Sequence, residues 1–189
     1  LNKDLGIPSA CEEDISALLT MTLFQYMTGK AIYMGNPVYI EPESKTYKEL
    51  GIVEDGEREG ALYPEELLEL HHAVPSLKMA GLEQEDMPYF LGHFTQEGFG
   101  TKMQIDMAKE APGRTVTLAR FNRRGDRVII GRAEIVGCRF TEIYCSPYNV
   151  FRLEGDVREF RQMLARRSAG GHICMAYGDS IKDWQMLGQ

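Results

Sequence analysis

Apolar residues recur at three- and four-residue steps over residues 12–28, at Ile15, Leu18, Leu19, Leu23, Tyr26 and Met27. That spacing predicts a helix. Its face carrying Leu18, Leu19 and Leu23 is expected to pack partly on the rest of the chain and partly toward other protein, leaving apolar surface near the N-terminus. Gly29 follows as the stop, because glycine takes the left-handed position after a helix without a steric penalty. Residues 31–40 turn strand-like, with Ile32, Val38, Tyr39 and Ile40 around Gly35-Asn36-Pro37. Proline cannot donate to a ladder, so the triplet predicts a strand end or a bulge. Residues 41–63 are rich in charge, glycine and proline and read as a long loop. Residues 67–74 fit either a short helix after Pro64 or a strand running into His71-His72.

From Thr101 onward the pattern is consistently β. Met103, Ile105 and Met107 alternate, as do Val116, Leu118 and Arg120, before the turn sequence Asn122-Arg-Arg-Gly125-Asp126. That turn predicts a hairpin with residues 127–136, and further strands are expected at 139–145 and 149–153. Several closely spaced antiparallel strands favour a barrel over a doubly wound parallel sheet. Near the end, Asp156 and Glu159 have capping-box spacing before Val157, Phe160, Met163 and Leu164. The helix they open stops near Gly170-Gly171, a buried strand covers 172–177, and a last short helix from Asp179 or Ser180 carries Trp184. The fold class is therefore mixed α+β, an antiparallel β-barrel with a leading helix and C-terminal helices.

A formal net charge of -7 argues against a nucleic-acid partner, since that affinity comes largely from lysine and arginine. Arg123-Arg124 and Arg166-Arg167 read as a hairpin tip and a helix C-terminus. Cys11, Cys138, Cys145 and Cys174 contain no CxxC pair, which leaves a structural zinc site without support and predicts a reducing, cytoplasmic compartment. No run approaches the ~18 apolar residues of a membrane span. The chain opens on Leu1 without Met and enters a helical pattern almost at once, as a segment of a longer polypeptide would.

The histidines are His71, His72, His93 and His172, and no two have the i, i+4 spacing of a helical metal motif. On a strand, His71 and His72 point to opposite faces, so at most one faces any given site. His172 opens an apolar strand after two glycines that let a ligand approach closely. Glu12, Glu13 and Asp14 at a helix N-terminus have an ordinary explanation in capping and the macrodipole.

Taken in order, several segments resemble the L-fucose and L-arabinose isomerase superfamily. They are Cys11-Glu12-Glu13-Asp14, Ala17-Leu18-Leu19-Thr20-Met21 and the run Thr28-Gly29-Lys30-Ala31-Ile32-Tyr33-Met34-Gly35-Asn36. Later pieces with the same likeness are His71-His72-Ala-Val-Pro-Ser-Leu-Lys-Met79, Thr115-Val116-Thr117-Leu118-Ala119-Arg120 and Gly171-His172-Ile-Cys-Met-Ala-Tyr-Gly178. The resemblance implies that residues 1–30 are the tail of an upstream α/β middle domain and residues 31–189 a C-terminal β-barrel domain. It also implies N-terminal and middle domains outside this chain, and a homo-oligomer whose neighbouring subunit closes the pocket.

The chemistry so implied is aldose–ketose isomerisation of a sugar substrate through an enediol, with Mn²⁺ or another divalent ion. Hard oxygen ligands with an imidazole suit such an ion, and a carboxylate can shuttle the proton. Carried over, Glu12 is a metal ligand and catalytic base and His172 a metal ligand. Asn36 stands at the second acid's position, as a weak metal ligand or substrate contact. An amide lends a carbonyl oxygen but takes no proton at neutral pH. Glu41 is the nearby acid that would replace it. The alternative is a noncatalytic carbohydrate-binding or assembly domain that kept the barrel, with a generic barrel module of the kind found in translation factors as a third option.

Overall fold

The computed structural model of the chain describes residues 2–40, 66–72, 75–93, 100–140, 147–166 and 171–187. Among the described residues, helices α1 (Ile15–Thr28), α2 (Val157–Arg166) and α3 (Ile181–Met186) accompany eight strands. The strands are β1 (Tyr33–Ile40), β2 (Leu67–His71), β3 (Phe90–His93), β4 (Thr101–Gln104), β5 (Thr115–Phe121), β6 (Val128–Arg139), β7 (Tyr148–Leu153) and β8 (Ile173–Tyr177). Six of them close an antiparallel barrel in the order β1-β2-β7-β6-β5-β8, and β3 and β4 form a separate two-stranded sheet. Residues 67–71 of the ambiguous stretch thus resolve as strand, because β2 is paired on both edges, by β1 and by β7.

Alternation along the strands separates two apolar layers. Tyr33, Leu68, Leu70, Val116, Leu118, Phe151, Ile173, Met175 and Tyr177 fill the barrel's interior, joined by Val157, Phe160 and Leu164 of α2. Ile32, Met34, Ala119, Cys174 and Ala176 face outward and are covered by Ala17, Met21 and Phe24 of α1 and by Trp184 of α3. Phe24 and Trp184 meet edge to face, with ring centroids 5.2 Å apart. Among the described residues, no helix is long and apolar enough to cross a membrane.

The helix begins at Ile15 rather than Glu12. Glu12 and Glu13 have positive φ, which a right-handed helix excludes, and Asp14 is the N-cap. Its end is at Gly29, in the left-handed conformation. The fully buried positions are Ala17, Thr20, Met21 and Phe24, while the face carrying Leu18, Leu19 and Leu23 is only partly covered, with Leu23 packed against the core and Leu18 and Leu19 39% exposed. Thr20 selects the buried positions because its hydroxyl accepts the Phe121 N–H of β5 at 3.0 Å while donating to the Ser16 carbonyl. Exposed apolar surface does lie near the N-terminus, at Leu5, Ile7, Ile15 and Tyr26.

Strand β1 runs unbroken through Gly35-Asn36-Pro37. Proline is tolerated because β8 pairs only as far as Gly35 while β2 takes over from Asn36, so Pro37 has a partner on one edge alone. The strand expected over 103–107 stops at Gln104, and Ile105 and Met107 are buried beyond it. The strand expected at 127–136 is β6, which runs on to Arg139 and is kinked where the register skips from Ile135 to Gly137, while most of the strand expected at 139–145 falls outside the described residues. Residues 141–146 lie outside the described residues, as do Glu41 and the loop 41–63. The hairpin turn closes on Gly125 (φ 71°), whose N–H donates to the Asn122 carbonyl. Asp156 caps α2 as its spacing predicted, accepting from the backbone N–H groups of Arg158 and Glu159.

Candidate metal centre

One end of the barrel carries a pocket of about 820 Å³, lined by Glu12, Asp14, Asn36, Arg120, Arg123 and His172 among others. That size suits a small molecule. The three residues singled out in the sequence, Glu12, Asn36 and His172, therefore lie on one wall although up to 160 positions separate them (172 − 12). His72, which was not assigned as a ligand, belongs to the same place. Suitable ligand atoms of Glu12, His72 and His172 all lie within 4.8 Å of one another.

Each side chain is placed by a local feature of the chain. The Asp14 N–H donates to the Cys11 carbonyl at 3.2 Å, closing a turn whose central residues Glu12 and Glu13 are both left-handed (φ 57° and 55°). Primed turns of this kind favour Gly, Asn and Asp, and a left-handed residue with a Cβ costs about 1–2 kcal/mol. The strained turn lifts Glu12 over the two histidines. Glu13→Asn is expected to stabilise the fold by about 0.5–1 kcal/mol, since asparagine accepts this backbone more readily. Urea unfolding measures it, and an unchanged or lower midpoint would count against the turn.

Asp14 joins the site to the fold. Its Oδ1 accepts the Ala17 N–H at 3.0 Å, which caps α1. The Arg120 guanidinium donates to both of its oxygens, Nη2 to Oδ1 at 2.7 Å and Nη1 to Oδ2 at 2.8 Å. Partial burial alone would raise this carboxyl's pKa, but Arg120, the Ala17 amide and His172 outweigh it and hold it below the ordinary carboxylate range. An ionised Asp14 can only accept, so the 2.9 Å contact between His172 Nδ1 and Asp14 Oδ2 places the ring proton on Nδ1. Nε2 of His172 then faces the site, 3.4 Å from Glu12 Oε2. A carboxylate holding the far nitrogen of a histidine is the usual support of a metal ligand.

His72 follows the end of β2, with its ring centroid 5.4 Å from that of His172 and its Nε2 3.9 Å from Glu12 Oε1. Burial, then the nearby His172 and Lys3, push its pKa down to about 4, so the ring is neutral at pH 7. Among the described residues, neither nitrogen of His72, nor Nε2 of His172, has a hydrogen-bond partner, although all three are buried. Buried polar atoms are ordinarily satisfied, and two imidazoles beside a carboxylate fit a divalent cation, whose ligand atoms lie about 3–4 Å apart. Glu12 itself is 66% exposed and closes the cluster from the solvent side.

Asn36 reaches the pocket from β1, where its Nδ2 donates to the Gly171 carbonyl at 3.3 Å and Oδ1 remains the amide's acceptor. His71 is directed elsewhere, stacked near Tyr148 with its Nδ1 3.6 Å from Glu69 Oε1. One of the two adjacent histidines thus serves the cluster. His72 carries no spacing signal, because its partners are 60 and 100 residues away (72 − 12 and 172 − 72). No protein-family model matches the chain, and no curated protein matches it in sequence.

Proposed function

We propose that this chain carries the metal-and-substrate pocket of an aldose–ketose isomerase of the L-fucose and L-arabinose type, acting with upstream domains and as a homo-oligomer. The observation that carries it is the convergence of Glu12, Asn36 and His172, the residues matched by that resemblance, on one pocket beside His72. Glu12, His72 and His172 would hold the ion, for which the resemblance implies Mn²⁺. A bound divalent ion supplies Lewis-acid polarisation of adjacent sugar oxygens.

The chain's own residues supply the rest. Asp14 and Arg120 keep His172 in one tautomer and orientation. Glu12 is the carboxylate of the cluster, exposed toward the pocket, and it moves a proton from C2 of the aldose to C1 by way of the enediol. The O2 hydroxyl proton passes to O1 in the same conversion, which leaves a ketose. Asn36 presents its amide oxygen to a sugar hydroxyl, and Arg123 at the β5–β6 turn borders the same pocket.

The test is conversion of aldose to ketose by the full-length protein, over deoxy-, pentose and hexose sugars, with Mn²⁺, Co²⁺ or Zn²⁺ supplied. Turnover that depends on the ion is expected. One observation favours a second reading, a carbohydrate-binding domain without catalysis: position 36 is an amide, and the buried side of Asp14 is already committed to Arg120 and His172. Ion-dependent sugar binding with no conversion of any sugar would select it.

A further inference from the structure

The donors of the centre carry little charge. Among the described residues the cluster offers one carboxylate, Glu12, and two imidazoles, His72 and His172. The same pocket wall carries the neutral amide of Asn36, next to the backbone that leads into His172, and the carboxylate of Glu13, which lies outside the cluster. Asp14 adds no charge to the ligand set, since Arg120 takes both of its oxygens. Asn36 is also held in one orientation by its bond to Gly171, so it offers an oxygen without a negative charge.

Divalent ions divide over such a donor set. Mn²⁺ and Mg²⁺ favour carboxylate, carbonyl and water, whereas imidazole suits Zn²⁺ and the other late first-row ions. With one carboxylate against two imidazoles, the electrostatic attraction on which a hard ion depends is weak, and the directional nitrogen lone pairs dominate. We infer that this centre selects Zn²⁺ or a neighbouring late first-row ion over Mn²⁺ and Mg²⁺, and that the neutral Asn36 sets the margin of that choice. The inference rests on the metal centre of the preceding section and not on its sugar chemistry. Late ions bind most nitrogen and oxygen sites more tightly, so the informative quantity is how residue 36 alters the ratio.

The full-length protein, wild type and Asn36→Asp, is dialysed against mixtures of Mn²⁺ and Zn²⁺ and the bound ions are quantified. Wild type is expected to take up Zn²⁺ almost exclusively, and Asn36→Asp to move the Zn²⁺-to-Mn²⁺ affinity ratio toward Mn²⁺ by about tenfold or more. A ratio that residue 36 leaves unchanged, with both ions bound, overturns the inference and leaves the metal centre standing. Failure of any ion to bind overturns both.

Aspartate at 36 gives up the bond to Gly171, so wild type is also read alone with Co²⁺. Intense visible bands of a four- or five-coordinate, nitrogen-containing site are expected. The weak spectrum of an octahedral all-oxygen site would contradict the choice of ion.

Discussion

Arg120→Ala is expected to lower the stability of the fold by about 3–5 kcal/mol, the usual effect of removing one partner from a buried ion pair. Arg120 is 2% exposed, and both oxygens of Asp14 depend on its guanidinium. Without it, Asp14 keeps only the Ala17 amide and the His172 ring as partners among these contacts. The carboxylate is then undercompensated, the α1 cap loosens and His172 loses its fixed tautomer. Arg120→Lys should recover part of the loss, because an ammonium supplies charge but not the two-pronged geometry. Asp14→Asn combined with Arg120→Ala should cost less than the sum of the single changes, since no charge is left stranded. Denaturant unfolding gives each value. A loss below about 1 kcal/mol in Arg120→Ala would show that the pair behaves like a surface salt bridge.

Glu12→Gln is expected to remove turnover while leaving the fold intact. The amide is nearly isosteric, and an exposed side chain at a turn contributes little packing. What disappears is the only carboxylate of the cluster among the described residues, and with it both the charge that holds the ion and the basicity that moves the proton. General-base loss alone costs about 10²–10⁴ in rate, and loss of a charged ligand adds to it. Glu13→Gln is the control. It alters the neighbouring residue of the same strained turn, lies outside the cluster, and should retain most of the activity. Glu12→Gln with more than about a tenth of wild-type turnover would exclude Glu12 as the base.

The barrel was legible because its strands carry opposite demands on their two faces. Val116 and Leu118 alternate into the interior while Ala119 faces the helix layer, and the Asn122 to Asp126 turn fixes the register of the hairpin. Helix α1 was legible as a helix and only in part in its orientation. Apolar residues occur nearly all round it, so periodicity could not distinguish Leu18 and Leu19 from Met21 and Phe24, and a buried threonine bond decided the matter. The extent of β1 was obscured by Pro37, whose cost depends on which edge has a partner, a property of topology rather than of local sequence.

The centre was legible in part. Glu12, Asn36 and His172 came from resemblance, and nothing in their spacing brings them together. His72 was hidden by its neighbour: a His-His pair at a strand end sends one ring to each side, and only the pairing of β2 with β1 and β7 determines which ring meets His172. Asp14 read as an ordinary helix cap, which it is, and its second role needed the position of Arg120 across the barrel wall.

The most direct measurement is the divalent-ion stoichiometry of the full-length protein after metal loading and desalting, compared between wild type and His72→Ala. One ion per chain is expected in wild type, with strong loss in the variant at unchanged helix and strand content by circular dichroism. No ion in wild type, or equal occupancy without the His72 ring, would contradict a metal centre built from Glu12, His72 and His172.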